Sequence, residues 1–104
     1  MVTNGFYKIS YGGKTGSGIG MLALMGGVVS GIDEAGVQYD GTYGEDADTG
    51  AVQFHVRATV PAKGEAWSFS VDAVLPPGFA AGTPVPLRTP YGSVTVGFRL
   101  LRAL

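Results

Sequence analysis

Alternation of apolar and polar residues runs through most of this chain. Across 52–60, Val52, Phe54, Val56, Ala58 and Val60 alternate with Gln53, His55, Arg57 and Thr59. A period of two puts one set of side chains on each face of a β-strand. The same period sets Trp67, Phe69, Val71 and Ala73 against Ser68, Ser70 and Asp72, and Val94, Val96, Phe98 and Leu100 against Thr95, Gly97, Arg99 and Leu101. Val37, Tyr39, Gly41 and Tyr43 alternate with Gln38, Asp40 and Thr42. Residues 6–11, 19–24 and 28–32 predict three further strands. Val85 and Leu87, beside Pro84 and Pro86, predict one more that is confined to an edge.

Between these runs stand turn signals: Gly26-Gly27, Asp33-Glu34-Ala35-Gly36, Pro61-Ala62-Lys63-Gly64 and Pro76-Pro77-Gly78. The chain has 18 glycines scattered from end to end. Each costs about 1 kcal/mol against Ala inside a helix, so no helix of ordinary length is expected. Short strands and turns tolerate such spacing. Gly20, within an apolar run, is expected to relieve crowding where the sheet bends. Eight short strands with regular turns predict a sandwich or a barrel, and interior glycines favour the barrel because closure needs sharp local bends. The fold class is therefore all-β, a small eight-stranded antiparallel barrel in a single domain spanning 1–104.

The totals narrow the function. Hydrophobic residues make up 45% and charged residues 14%, which excludes a disordered chain. A net charge of −1 with no run of Lys or Arg argues against direct nucleic-acid binding. The absence of cysteine removes disulfides and thiolate metal sites. No signal-peptide pattern opens the chain and no stretch approaches membrane-spanning length, so a cytoplasmic protein without a membrane span is expected.

Candidate chemistry is sparse. His55, the single histidine, belongs to the outward set of its strand and is expected to be a solvated surface residue. No serine sits in a Gly-x-Ser-x-Gly elbow, so no catalytic residue is assigned. Gly16-Ser17-Gly18-Ile19-Gly20 lacks the Lys-Ser/Thr ending and the helix of a phosphate-binding loop. It reads as the start of a strand. Neither a metal nor a cofactor is expected.

One cluster stands out: Glu45-Asp46-Ala47-Asp48 between Gly44 and Gly50. It fits a solvated hairpin turn, because Asp bonds nearby backbone amides. It also fits an acidic knob that steers a basic protein partner. A calcium loop fits less well, since the flanking helices and the closing glutamate are missing. A different use of the barrel is a cavity for an apolar small molecule lined by Tyr39, Phe54, Trp67, Phe69 and Phe98, the alternative being that these side chains fill the core.

Several segments together resemble the GrlR family of negative regulators of bacterial type III secretion. They are Asn4-Gly5-Phe6-Tyr7, Gly18-Ile19-Gly20-Met21-Leu22, Gly27-Val28-Val29-Ser30-Gly31-Ile32-Asp33 and Tyr39-Asp40-Gly41-Thr42-Tyr43, over roughly the first sixty residues. The resemblance implies a lipocalin-like barrel, a homodimer, and an acidic surface loop that holds a helix-turn-helix transcriptional activator away from DNA. Glu45, Asp46 and Asp48 fall at the place of that loop, with Ala47 interrupting the run, and the family's Gly-Gly-Asp stands here as Gly31-Ile32-Asp33. The expected function is thus a non-enzymatic regulator or adaptor that binds a basic partner through this loop, with a lipocalin-like carrier as the alternative. Dimerisation is expected through outward apolar residues such as Leu22, Leu24, Val74 and Leu101. Neutralising Glu45, Asp46 and Asp48 together is expected to weaken partner capture in a pull-down from the native host, and unchanged capture would reject the loop's role.

Overall fold

Each predicted alternation becomes a strand. The computed structural model describes residues 2–14, 16–61 and 64–104. Within them run β1 (Gly5–Gly13), β2 (Gly16–Met25), β3 (Val28–Asp33), β4 (Gln38–Glu45), β5 (Val52–Val60), β6 (Trp67–Leu75), β7 (Val85–Thr89) and β8 (Gly92–Ala103). Neighbours pair antiparallel in the order β6-β5-β4-β3-β2-β1-β8-β7. The sheet curls until β6 and β7 pack side by side, giving a nearly closed, lipocalin-like barrel. The Pro61–Gly64 turn expected between β5 and β6 includes Ala62 and Lys63, which lie outside the described residues.

Closure stops one ladder short, because β6 and β7 are the two ends of the hydrogen-bonded order. A proline inside a strand is tolerated only where its nitrogen faces away from a ladder. Pro86 sits within β7 opposite Thr95 of β8, so β7 pairs on one side only. The edge position predicted for this segment is the observed one.

Inward positions follow the predicted parity on β5 and on most of β8. Val52, Phe54 and Ala58 of β5 and Val96 and Phe98 of β8 are buried, as are Tyr7 and Ile9 of β1. The parity of β2 differs from expectation. Leu22 and Leu24 point inward and are buried, whereas Ile19, Met21 and Met25 carry the outward apolar surface. The ladder to β1 decides this, since Leu22 pairs with Tyr7 and Leu24 with Gly5, while Gly20 pairs with Ile9. Val74 and Leu101 are outward and exposed as expected. Leu101 is the extra residue of a bulge, because Tyr7 faces Leu100 while Phe6 faces Arg102. Leu100 lies beside this irregularity and is exposed as well.

Gly20 acts as anticipated. A Cβ there would lie 2.9 Å from the Cα and Cβ of Asp33, its partner across the β2–β3 ladder. The missing side chain lets β3 approach closely and leaves room for Asp33 inside the barrel.

The two ends of the barrel differ. At the end carrying the β2–β3 turn, the β4–β5 loop and the β6–β7 loop, Phe79 folds back from the loop and is buried. Its ring stacks on Tyr7 at 6.3 Å and meets Phe54 and Phe98 edge-on at 5.9 and 5.4 Å. Leu24, Val29 and Leu75 reach zero exposure in the same core. This end is plugged, and the core is concentrated there. Phe79→Ala is expected to cost about 3–5 kcal/mol, the usual range for a buried Phe truncation, read as a lowered urea midpoint; a loss within ~0.5 kcal/mol would mean that the plug carries no stability.

Candidate functional site

Above the plug the interior is not filled. A cavity of about 290 Å³ opens toward the other end, the one carrying the β3–β4, β5–β6 and β7–β8 turns. Its walls include Phe54, Val71, Leu75, Val96 and Phe98 toward the core, and Tyr11, Asp33, Tyr39 and Tyr91 toward the mouth. The lining is largely apolar, so water entering through the mouth finds few polar partners there.

The polar partners gather on Asp33. This residue ends β3 on the inward parity of Val29 and Gly31, and it is 7% exposed. Its Oδ1 accepts the backbone N–H groups of Ala35 at 2.9 Å and Val37 at 3.1 Å, which closes the β3–β4 turn. Its Oδ2 accepts the hydroxyl of Tyr39 at 2.7 Å and that of Tyr11 at 3.0 Å. Each carboxylate oxygen thus accepts from two donors, one oxygen from backbone amides and the other from phenols. Among the described residues no Lys, Arg or His lines the cavity or pairs with Asp33. Burial first, then the hydrogen bond and the charge of Asp33, push the Tyr11 phenol up to about 12 and raise that of Tyr39 further.

Of the residues expected to line a cavity, Tyr39, Phe54, Phe69 and Phe98 do so. Trp67 does not. It shares the inward parity of Phe69 but begins its strand at the barrel's mouth, where it is 43% exposed. There it joins Phe69 and Tyr91 in a cluster with ring centroids 5.2–5.8 Å apart. Tyr91 comes from the β7–β8 turn, so the cluster spans the unladdered β6–β7 seam.

The acidic loop lies at the plugged end, away from this mouth. Asp46 uses Oδ1 to accept the N–H groups of Asp48 at 2.8 Å and Thr49 at 3.0 Å. These backbone bonds hold its carboxyl below the ordinary value. The loop is therefore a self-capped turn, with Glu45, Asp46 and Asp48 all exposed. His55 stands on the outer surface opposite Asp72 of β6, with Nδ1 and Oδ1 2.8 Å apart, as a solvated cross-strand pair.

Comparison with protein-family models, with curated proteins and with solved structures finds no match for this chain.

Sequence reasoning missed Tyr11, Asp33, Tyr91 and Phe79. Tyr11 could have been found from parity, two residues beyond Ile9 on the inward set. Asp33 was assigned to a turn, although it also continues the inward positions of β3. The Asp33 cluster makes an alkaline titration informative. A phenol whose folded value is raised favours the folded state fully below its unfolded value of about 10, and this contribution is lost as pH rises through the folded value. Ultraviolet titration is expected to resolve a late tyrosine phase from Tyr11 and Tyr39 that accompanies alkaline unfolding. Ionisation of every tyrosine near pH 10 with the fold intact would contradict the cluster.

Proposed function

We propose that this barrel binds a small apolar molecule in its interior and carries or presents it, without chemical conversion. The observation behind this reading is the apolar cavity of about 290 Å³, plugged by Phe79 at one end and rimmed by aromatic rings at the other. Ligand sites are commonly concave, largely apolar and furnished with a few converging polar groups, and the mouths of barrels are among their preferred places. A liquid water molecule takes up about 30 Å³, so the cavity matches a ligand of about ten heavy atoms.

The outer surface supports a second element, self-association as a homodimer. Ile19, Met21 and Met25 on β2 and Val28 and Ile32 on β3 are between 44% and 51% exposed. Met21 pairs with Ile32 and Met25 with Val28, so these residues form one continuous outward strip. Apolar strips of this kind on a sheet exterior mark association surfaces. The resemblance to the GrlR family supports a regulatory use of the barrel, in which the exposed loop of Glu45, Asp46 and Asp48, at the end opposite the cavity mouth, meets a basic partner.

Native mass spectrometry of the protein purified from its host tests both elements at once. The expected spectrum contains a dimer and a retained small-molecule mass, and Val71→Trp, which fills the cavity from β6, should remove the small molecule while leaving the β-sheet circular dichroism unchanged. Wild-type protein that neither retains a molecule nor takes up a fluorescent apolar probe would reject the carrier reading, and a monomer at micromolar concentration would reject the dimer.

A further inference from the structure

The walls of the cavity and the buried charge of Asp33 carry information about which apolar molecules fit. We propose that the cavity selects ligands whose alkyl or aryl body ends in a hydrogen-bond donor, an alkylammonium above all, and discriminates against alkyl carboxylates. The inference rests on the carrier reading and sharpens it to a ligand class.

Geometry sets the polarity of the head-group position. Both phenol protons, on Tyr11 and Tyr39, are directed to Asp33 Oδ2. A ligand arriving at these hydroxyls therefore meets oxygen lone pairs, not protons. At Tyr11 and Tyr39 the site can accept a hydrogen bond but has no proton ready to donate; the Tyr91 hydroxyl, a donor in its own right, belongs to the mouth and not to this head-group position. Behind the two oxygens lies a carboxylate with four protein donors and, among the described residues, no basic partner. Its field favours positive charge in the cavity. In a poorly hydrated site that preference is stronger than the same groups would produce in water.

A carboxylate head group meets the reverse. It needs donors or a cation, and the described lining supplies no Lys, Arg or His. To bind at the phenols it would have to take a proton from the Asp33 bond and approach a like charge. An alcohol falls between, because its hydroxyl can donate to a phenol oxygen without adding charge. The lower walls, Phe54, Leu75 and Phe98, are apolar and suit any of the three bodies equally. Discrimination therefore lies at the Asp33 end alone.

The aromatic rim favours the same class. Trp67, Phe69 and Tyr91 stand at the entrance, and ring faces attract an organic cation as it passes.

Octylammonium, octanol and octanoate share one chain and, at nine or ten heavy atoms, match the cavity. Each would be titrated at neutral pH against the full-length protein carrying a fluorescent apolar probe. Octylammonium is expected to displace the probe roughly tenfold or more tighter than octanoate, with octanol between them, the margin of one charge-assisted hydrogen bond. In Asp33→Asn the ammonium should lose its advantage over the alcohol, while the turn's backbone bonds keep an amide oxygen to accept them. If that variant does not fold, the wild-type series in the presence and absence of Val71→Trp locates the effect in the cavity. Octanoate binding as tightly as octylammonium would overturn the ligand class and leave the carrier reading standing. Failure of all three to displace a bound probe would overturn the ligand class, and failure of the probe itself to bind would overturn the carrier reading as well.

Discussion

The inward side chains of the eight strands share one enclosed space of fixed width. How that space is filled governs the rest of the structure. Eight strands close on an interior just wide enough for their own side chains or for one small ligand. Here the filling is uneven. Tyr7, Phe54, Phe79 and Phe98 bring four rings together at one end, and Tyr11, Tyr39, Phe69 and Tyr91 stand nearer the mouth, while side chains such as Val56 and Val71 between them are too small to meet across the middle. The cavity follows from that gap in side-chain size. Without Phe79, which comes from a loop, the lower half would be open as well.

The same space explains the position of the buried Asp33 carboxylate. An isolated carboxylate would not be stable among apolar walls. Asp33 is accommodated because it stands at the end of its strand, where the turn supplies two backbone donors and where Tyr11 and Tyr39 reach it from β1 and β4. Gly20 on the facing strand makes the room. Five segments of the chain thus converge on one side chain, which locks its orientation and that of both phenols. Polar groups held this firmly need little ordering when a ligand arrives, which is the usual origin of selectivity in an otherwise apolar site.

Much of this was legible in the sequence, and the parts that were not have identifiable reasons. On β5 one face is apolar and the other polar, so a period of two gives both the strand and its orientation. On β2 the outward residues Ile19, Met21 and Met25 are as apolar as the inward Leu22 and Leu24, and periodicity has no way to choose between faces. The choice is made by a partner strand, through the pairing of Leu22 with Tyr7. Trp67 was misplaced for a different reason: parity gives direction, but only strand length tells whether the residue is inside the barrel or on its rim. Phe79 lies in a Pro- and Gly-rich loop with no period at all. The Asp33 cluster joins residues at 11, 33 and 39, and contacts of that separation follow from register rather than from local pattern.

The asymmetry between the ends also separates the two proposed kinds of recognition. The acidic loop satisfies part of its own hydrogen bonding, since Asp46 accepts from Asp48 and Thr49. It sits beside the plug, where Gly50 approaches Pro77 of the loop that carries Phe79. The cavity, by contrast, opens at the end where the Trp67, Phe69 and Tyr91 rings meet across the β6–β7 seam, which has no ladder. Strands without a shared ladder can separate without breaking backbone hydrogen bonds, so the seam is the least costly place for the wall to yield to an entering molecule. On the carrier reading, entry and selection would fall at the loosely held end of the barrel, while the packing that stabilises it is concentrated at the end closed by Phe79.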